Sequence, residues 1–325
     1  MIFTWNCQNE DEQKTVRQVL TRAGFSTRLL KRIRHHGNIL LEGKPLRLID
    51  RVKAGDTLIV LLPEPQDYEP IVADPDLDII FQDDWYVVIN KKPGQVVHPT
   101  TTHKVGTITD RLADTALHPI LRLDRDTSGV ILIARLSFAH YYTSSRKMRK
   151  LYLGIVHGRF EQPEGILTGA ISRSQDSFMR RVISPRGKEA TTIYKELAFS
   201  ADEAYTLVQF ELVTGRTHQI RLHCTWHGHP LLGDNMYGLR QLEGLSVGQD
   251  YVRPDLWTKV ARLRSRQRLE ADALIKRQAL HAAYLEFQHV EARNTIKVEA
   301  KIAADILDLI EALKIQIEQP LKVIT

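Results

Sequence analysis

Asp78-Ile-Ile-Phe-Gln-Asp-Asp-Trp-Tyr-Val-Val-Ile-Asn90 holds two short runs of β-branched and aromatic residues separated by the acidic pair Asp83-Asp84. Such runs, broken by a polar turn signal, read as strand, turn and strand. Downstream, Lys91-Lys-Pro93-Gly94 turns the chain and Val96-Val97-His98-Pro99 continues it. Further strands are expected over 130–134, 152–156, 191–197 and 205–212, with one helix over 138–149. Strands joined by turns outnumber helices, so the expected fold class is α+β with a mixed, largely antiparallel sheet rather than a doubly wound parallel one.

Upstream of Asp78 the pattern changes. Pro63-Glu-Pro65, Pro70 and Pro75 make an extended, helix-incompatible stretch, so the expected organisation is a module at 1–64, a linker at 65–77 and a main domain at 78–325. In the module, Val16, Val19 and Leu20, then Leu29, Leu30 and Ile33, have helical spacing, interrupted by Gly24-Phe25-Ser26. Two short helices follow, the second started by Ser26 or Thr27 and ended at Gly37-Asn38. Ile39-Leu40-Leu41 and the run from Asp56 to Leu62 read as strands. Ser26-x-x-Leu-Leu-Lys-Arg-Ile33, Gly37-Asn-Ile-Leu-Leu-Glu-Gly43-Lys44 and Val52-Lys-Ala-Gly-Asp56 resemble the small RNA-binding module shared with a small-subunit ribosomal protein.

Charge supports that resemblance. The 325 residues carry a formal charge of +6, but between Lys14 and Lys53 lie Arg17, Arg22, Arg28, Lys31, Arg32, Arg34, Lys44, Arg47 and Arg51 against only Glu42 and Asp50. A face so unbalanced concentrates a polyanion, and Arg28, Lys31, Arg32 and Arg34 are the candidate phosphate contacts. The same run also fits a merely solvated helix surface. Two cysteines, Cys7 and Cys224, are too few for a disulfide framework and lack metal-site spacing. No apolar stretch reaches membrane-spanning length, and Met1-Ile-Phe-Thr-Trp runs directly into polar residues. A cytoplasmic location is expected, with no membrane and no obligate protein partner. Residues 239–276, rich in Arg and Leu, read as an irregular insertion followed by a helix with no assigned role.

Chemistry concentrates in two places. Gly215-Arg-Thr-His-Gln-Ile-Arg221-Leu-His223 precedes His229-Pro-Leu-Leu-Gly-Asp234 and Tyr237-Gly238, and its upstream counterpart is Arg122-Leu123-Asp124-Arg-Asp-Thr127-Ser128-Gly129. Together these supply a carboxylate, an arginine to hold it charged, and polar donors for an anionic substrate. An aspartate has a reference pKa of about 3.9, so as a nucleophile it needs no separate base at neutral pH. The segment 217–227 is expected to be a helix stopped by Gly228, with His218 and Arg221 on one face. Asp126 is better suited to the turn than Asp124, although a turn role for Asp124 is the plain alternative. His218, His223, His227 and His229 invite a metal, but no carboxylate or cysteine motif completes a ligand set, so none is expected.

Taken in order, Arg122-Leu-Asp124-x-x-Thr-Ser-Gly129, Lys150-Leu-Tyr152-Leu-Gly-Ile-Val-His-Gly158, Gly215-Arg-Thr-His-Gln-Ile-Arg221-Leu-His223 and Arg277-Gln-Ala-Leu-His-Ala282 resemble the signature of the RluA-type pseudouridine synthases. The resemblance spans about residues 78–299. It implies conversion of selected uridines of structured RNA to pseudouridine, with no cofactor or metal. The target it implies is ribosomal RNA of the large subunit, with transfer RNA the alternative. It also implies that Asp124 is the catalytic aspartate, whether it attacks sugar or base, that Arg221 is its ionic partner, and that Tyr152 lies against the target base. An isolated strand tyrosine would more simply be core. Arg122, Arg216, His218 and His223 become RNA contacts on the same reading. One departure stands out: the family's histidine directly before Arg-Leu-Asp is Leu121 here, with His118 three residues earlier. A non-catalytic RNA-binding or ribosome-assembly factor of the same layout is the rival, and a histidine-based metallohydrolase a third reading.

Overall fold

The computed structural model describes residues 2–61, 74–100, 103–112, 117–175, 177, 179–242, 251–292 and 294–317. The N-terminal part contains β1 (Ile2–Asn6), α1 (Val16–Arg22), α2 (Thr27–His36), β2 (Asn38–Leu41), β3 (Lys44–Pro45) and β4 (Thr57–Leu61). Its four strands pair antiparallel in the order β1-β4-β2-β3. Ser26 caps α2, its hydroxyl accepting from the Leu29 amide, and Gly37 ends the helix. Leu29, Leu30 and Ile33 face inward while Lys31 and Arg34 are exposed, as the sequence pattern required.

The main body follows with β5 (Asp78–Gln82), β6 (Tyr86–Lys91), α3 (Ile108–Leu112), β7 (His118–Pro119), β8 (Ser128–Ala134), α4 (Ser137–Ser144), β9 (Arg149–His157), β10 (Glu164–Thr168), β11 (Ile171–Arg173), β12 (Arg181–Ile183), β13 (Thr191–Phe199) and β14 (Tyr205–Leu212). It closes with α5 (Gln219–Trp226), α6 (Trp257–Leu263), α7 (Arg266–Asp272), β15 (Leu280–Gln288), β16 (Thr295–Glu299) and α8 (Ala304–Ala312). A large sheet runs β10-β13-β14-β9-β15-β8-β6-β5, with β16 on β15 and β7 on β8. Every pairing in it is antiparallel except β15 with β8, so the expected α+β class with a mixed, largely antiparallel sheet is the observed one.

The central strands are buried on both faces, which is why they read as near-continuous apolar runs. On β6, Val87 and Ile89 pack with Ile108 and Leu112 of α3, while Tyr86 and Val88 pack on the other face with Phe138 of α4. On β9, Val156 packs with Ile220 and Cys224 of α5, and Ile155 with Ile306 and Leu309 of α8. The face that holds Phe138 also holds the N-terminal part: Phe138 lies 4.5 Å from Phe3 and 4.4 Å from Phe25, ring centre to ring centre. Tyr141 donates to the Arg22 carbonyl at 3.2 Å. One hydrophobic cluster therefore spans residues 3–60 and the body.

Two expected boundaries move. The helix expected over 138–149 stops at Ser144, with Ser145 as its C-cap, and Arg149 already pairs with Glu286 in the sheet. In the segment 217–227, α5 begins only at Gln219, because His218 takes a left-handed conformation at φ 58°. Gly228, at φ +82°, ends α5 as expected. Much of the expected linker, 65–73, lies outside the described residues. Residues 74–77 are anchored to the body by the Arg111–Asp74 ion pair at 2.7 Å and by buried Leu77. In the 239–276 stretch the described part forms two short α-helices, α6 and α7, rather than one, with single 3-10 turns at Leu239–Leu242 and Pro254–Leu256, and 243–250 lies outside the described residues.

Candidate active site

Asp124 sits in the turn that leads into β8, and its carbonyl accepts from the Thr127 amide at 3.1 Å. The turn is held from both sides. Buried Lys91, at the end of β6, donates to the carbonyls of Lys92 (3.0 Å), Gln95 (3.0 Å) and Arg125 (2.6 Å). Burial pulls its ammonium down to about 7. From the opposite side Arg277 donates to the Asp126 carbonyl at 3.1 Å and to the Ser128 hydroxyl at 3.1 Å, and its guanidinium is fixed by a two-point contact with Asp305 at 2.7 Å each. Gln278 donates to the Thr127 hydroxyl at 2.9 Å, and Ser128 is 2.9 Å from His281 Nδ1. Gly129 completes the clasp: at φ +110° it lies so close to β15 that a Cβ would stand 2.1 Å from the Ala282 oxygen. Only glycine tolerates both demands.

The carboxylate meets Arg221 on the inward face of α5. Arg221 NH1 donates to Asp124 Oδ2 at 3.0 Å, while Nε and NH2 donate to Asp234 Oδ2 and Oδ1 at 2.7 and 2.8 Å. Burial alone would depress the Arg221 guanidinium, but the two carboxylates outweigh it and raise its pKa. Burial opposes ionisation of Asp234 too. Arg221 and the amides of Met236 and Tyr237 overcome that and hold its carboxyl below the ordinary range.

Asp124 is treated unequally at its two oxygens. Oδ2 is anchored by Arg221, whereas Oδ1 accepts no hydrogen bond among the described residues, with His218 Nε2 3.7 Å away. The Asp124 side chain is 23% exposed, against 7% for Arg221 and 0% for Asp234. His218 is oriented by Tyr237, whose hydroxyl lies 2.9 Å from Nδ1 and also accepts the Arg181 amide at 2.8 Å. Burial, opposed by Asp124, lowers the His218 pKa, which keeps the ring neutral. Tyr152 projects from β9 and packs beside Phe210 and Ile220. Burial first and the Asp124 charge second raise its phenol pKa, and its hydroxyl makes no hydrogen bond among the described residues.

Among the expected RNA contacts, Arg122, Arg216, Lys31 and Arg34 are exposed and Arg32 half-buried. Arg28 lies on α2. His223 is a correction: it is fully buried, with Nδ1 3.0 Å from the Thr192 hydroxyl and Nε2 3.2 Å from the Gly169 carbonyl, so it packs the core rather than meeting RNA. The other histidines of the cluster are also engaged singly, His227 with the Thr168 carbonyl and His229 with the His157 carbonyl and Lys259. Leu121 packs against the apolar cluster that holds Phe138.

Sequence reasoning missed two residues. Asp234 closes the apolar run Pro230–Gly233, and an acidic residue in such a place signals a buried partner. Asp272 of α7 accepts from the Gly233 amide at 3.0 Å and pairs with His157 of β9 at 2.8 Å, both side chains buried. The stretch of unassigned role thus braces the backbone that carries Asp234, and no local pattern announced it.

A fold with this sheet, an aspartate on a clasped turn and an arginine shared with a second aspartate defines a class. A profile described as RNA pseudouridylate synthase matches residues 85–226. The chain is 34% identical over 311 residues to the uncharacterized RNA pseudouridine synthase YjbO of Bacillus subtilis (strain 168), covering 91% of this chain and 98% of the relative. It is 34% identical over 290 residues to ribosomal large subunit pseudouridine synthase D of Xylella fastidiosa (strain Temecula1), covering 86% of this chain and 82% of that one. The human protein RNA pseudouridylate synthase domain containing 4 shares the fold, with a TM-score of 0.53 at 24% identity over 74% of this chain and 94% of that chain. The protein belongs to the RNA pseudouridine synthase family and is an isomerase.

Proposed function

We propose that this pseudouridine synthase modifies large-subunit ribosomal RNA in the cytoplasm, with Asp124 as the reacting carboxylate. The observation that carries the assignment is the asymmetry of Asp124: one oxygen is hydrogen-bonded to Arg221, while the other accepts no hydrogen bond among the described residues and has only His218 Nε2 nearby at 3.7 Å. A structural carboxylate would have both oxygens satisfied, as Asp234 does. In the reaction the bond from ribose C1′ to N1 of uracil breaks, C1′ bonds to C5, the C5 hydrogen leaves to solvent and N1 takes a proton. Arg221 aims the carboxylate toward an extruded base through its hydrogen bond to Oδ2. Tyr152 supplies a flat apolar face for that base.

Arg122, Arg216 and His218 are the RNA contacts next to Asp124 and α5 on this reading, and residues 1–64 form the RNA-binding module, with Arg28, Lys31, Arg32 and Arg34 of α2 on phosphates. The name of the Xylella relative supports ribosomal RNA as the target, and the ribosomal-protein-like module agrees with it. No helix among the described residues is long and apolar enough to cross a membrane.

Tritium release from RNA labelled at uracil C5 tests the reading, with RNA prepared from cells lacking this protein. Wild type is expected to release tritium from ribosomal RNA, and Asp124→Asn to release none while still binding. Turnover retained by Asp124→Asn removes the aspartate from the chemistry, and release from transfer RNA alone reassigns the target.

A further inference from the structure

Among the described residues the buried cations around this site are hydrogen-bonded or ion-paired, with one exception. Lys91 is met by three carbonyls, Arg221 by two carboxylates and Arg277 by Asp305. Lys150 is half-buried on β9, and among the described residues no hydrogen bond, ion pair or acidic neighbour engages its ammonium. Burial alone pulls its pKa down, with no carboxylate to restore it. The neighbouring Arg149, on the opposite face of the strand, has Glu211 at 3.2 Å. A cation taken partly out of water without a partner costs stability, and such groups are retained where a ligand supplies the missing charge.

The position of Lys150 says where that ligand comes from. Lys150 and Tyr152 are two residues apart on one strand, so they project from the same face about 7 Å apart. The ammonium reaches the turn before α5: a Cβ built on Gly215 would stand 4.0 Å from Lys150 Nζ. That turn carries Arg216 and His218 and enters the helix from its electropositive end. Asp124, Arg221 and Asp234 together carry one net negative charge, so an RNA strand approaching them needs cations beside the cluster.

We infer that Lys150 binds a backbone phosphate of the RNA next to the extruded uridine, completing its own charge only in the complex. The inference rests on the pseudouridine synthase reading and adds a residue to its substrate site. A phosphate contact remote from the breaking bond acts on binding more than on chemistry.

The test compares wild type, Lys150→Met and Lys150→Arg by tritium release from C5-labelled ribosomal RNA at several salt concentrations, with thermal unfolding alongside. Lys150→Met is expected to raise KM about ten-fold with kcat within about two-fold. The salt slope of binding should flatten by about 0.7, the contribution of one phosphate on a single strand. Lys150→Arg should restore both. Met removes an unpaired buried charge and keeps the stem, so its Tm should equal or exceed that of wild type. A raised KM with an unchanged salt slope overturns the phosphate assignment, as does an unaltered KM. A lowered Tm in Lys150→Met shows a structural role instead. Failure of wild type itself to release tritium defeats the underlying reading, and is thereby distinct.

Discussion

Arg221 is the residue on which the site turns, because one guanidinium fixes two carboxylates with different duties. Asp234 orients the guanidinium through two parallel hydrogen bonds, and only NH1 remains to address Asp124. Removing Asp234 leaves Arg221 a buried cation with a single partner. Asp234→Ala is therefore expected to destabilise the protein by about 3–5 kcal/mol, the usual cost of breaking a buried pair from one side. A lowered urea midpoint at unchanged slope would report it. Asp234→Asn keeps an acceptor for the Met236 and Tyr237 amides, so its stability loss should be smaller. Its tritium release should still fall by about 10²-fold, since the aim of Arg221 on Asp124 is lost. Equal activity of the Asn variant and wild type would show that Asp124 holds its position unaided. The Asp124–Arg221 pair was legible from the two motifs that contain it. Asp234 was quoted with its motif but had no role, because a carboxylate behind an apolar run declares its partner only once the chain is folded.

Among the elements, strands were easier to read than helix ends. The strand expected over 205–212 is β14 to the residue, because Tyr205-Thr-Leu-Val-Gln-Phe-Glu-Leu212 lies between turn signals. The helix expected over 138–149 was overextended: nothing in Ser144-Ser145-Arg146 matches a strong stop, and the pairing of Arg149 with Glu286 of β15 and its ion pair with Glu211 of β14 are non-local. The left-handed His218 was likewise invisible, since its conformation follows from the turn after β14 and from Tyr237 rather than from its neighbours. The same limit hid α7. Its Asp272 reaches 115 residues back to His157 and also satisfies the Gly233 amide. Asp272→Ala orphans a buried amide and a buried imidazole, and a loss of about 1–3 kcal/mol is expected. The variant should also lower kcat, because Gly233 precedes Asp234. A denaturation midpoint equal to that of wild type would show that α7 merely covers the site.

For the whole molecule, buried histidines set the acid limit of stability. Burial, the largest cause for each, holds His223 and His281 near about 4 and His229, also repelled by Lys259, near about 3. In the unfolded chain these rings titrate at about 6.5. Below that value the unfolded chain takes up protons that the folded protein refuses, so stability falls as pH drops from about 6.5 toward 4. Above 6.5 all three are neutral in both states and contribute no pH dependence. The denaturation midpoint should decline steadily through that window, and a midpoint constant between pH 7 and 4.5 would contradict the burial of these rings.

The one parallel pairing among the described residues of the large sheet sets β15 beside β8, so Arg277, Gln278 and His281 clasp a turn made about 150 residues earlier. A chain emerging from the ribosome therefore carries Asp124 long before it carries the residues that hold its turn. Until Arg277 and Asp305 have been made, the turn at Asp124 lacks the hydrogen bonds that hold it from the β15 side.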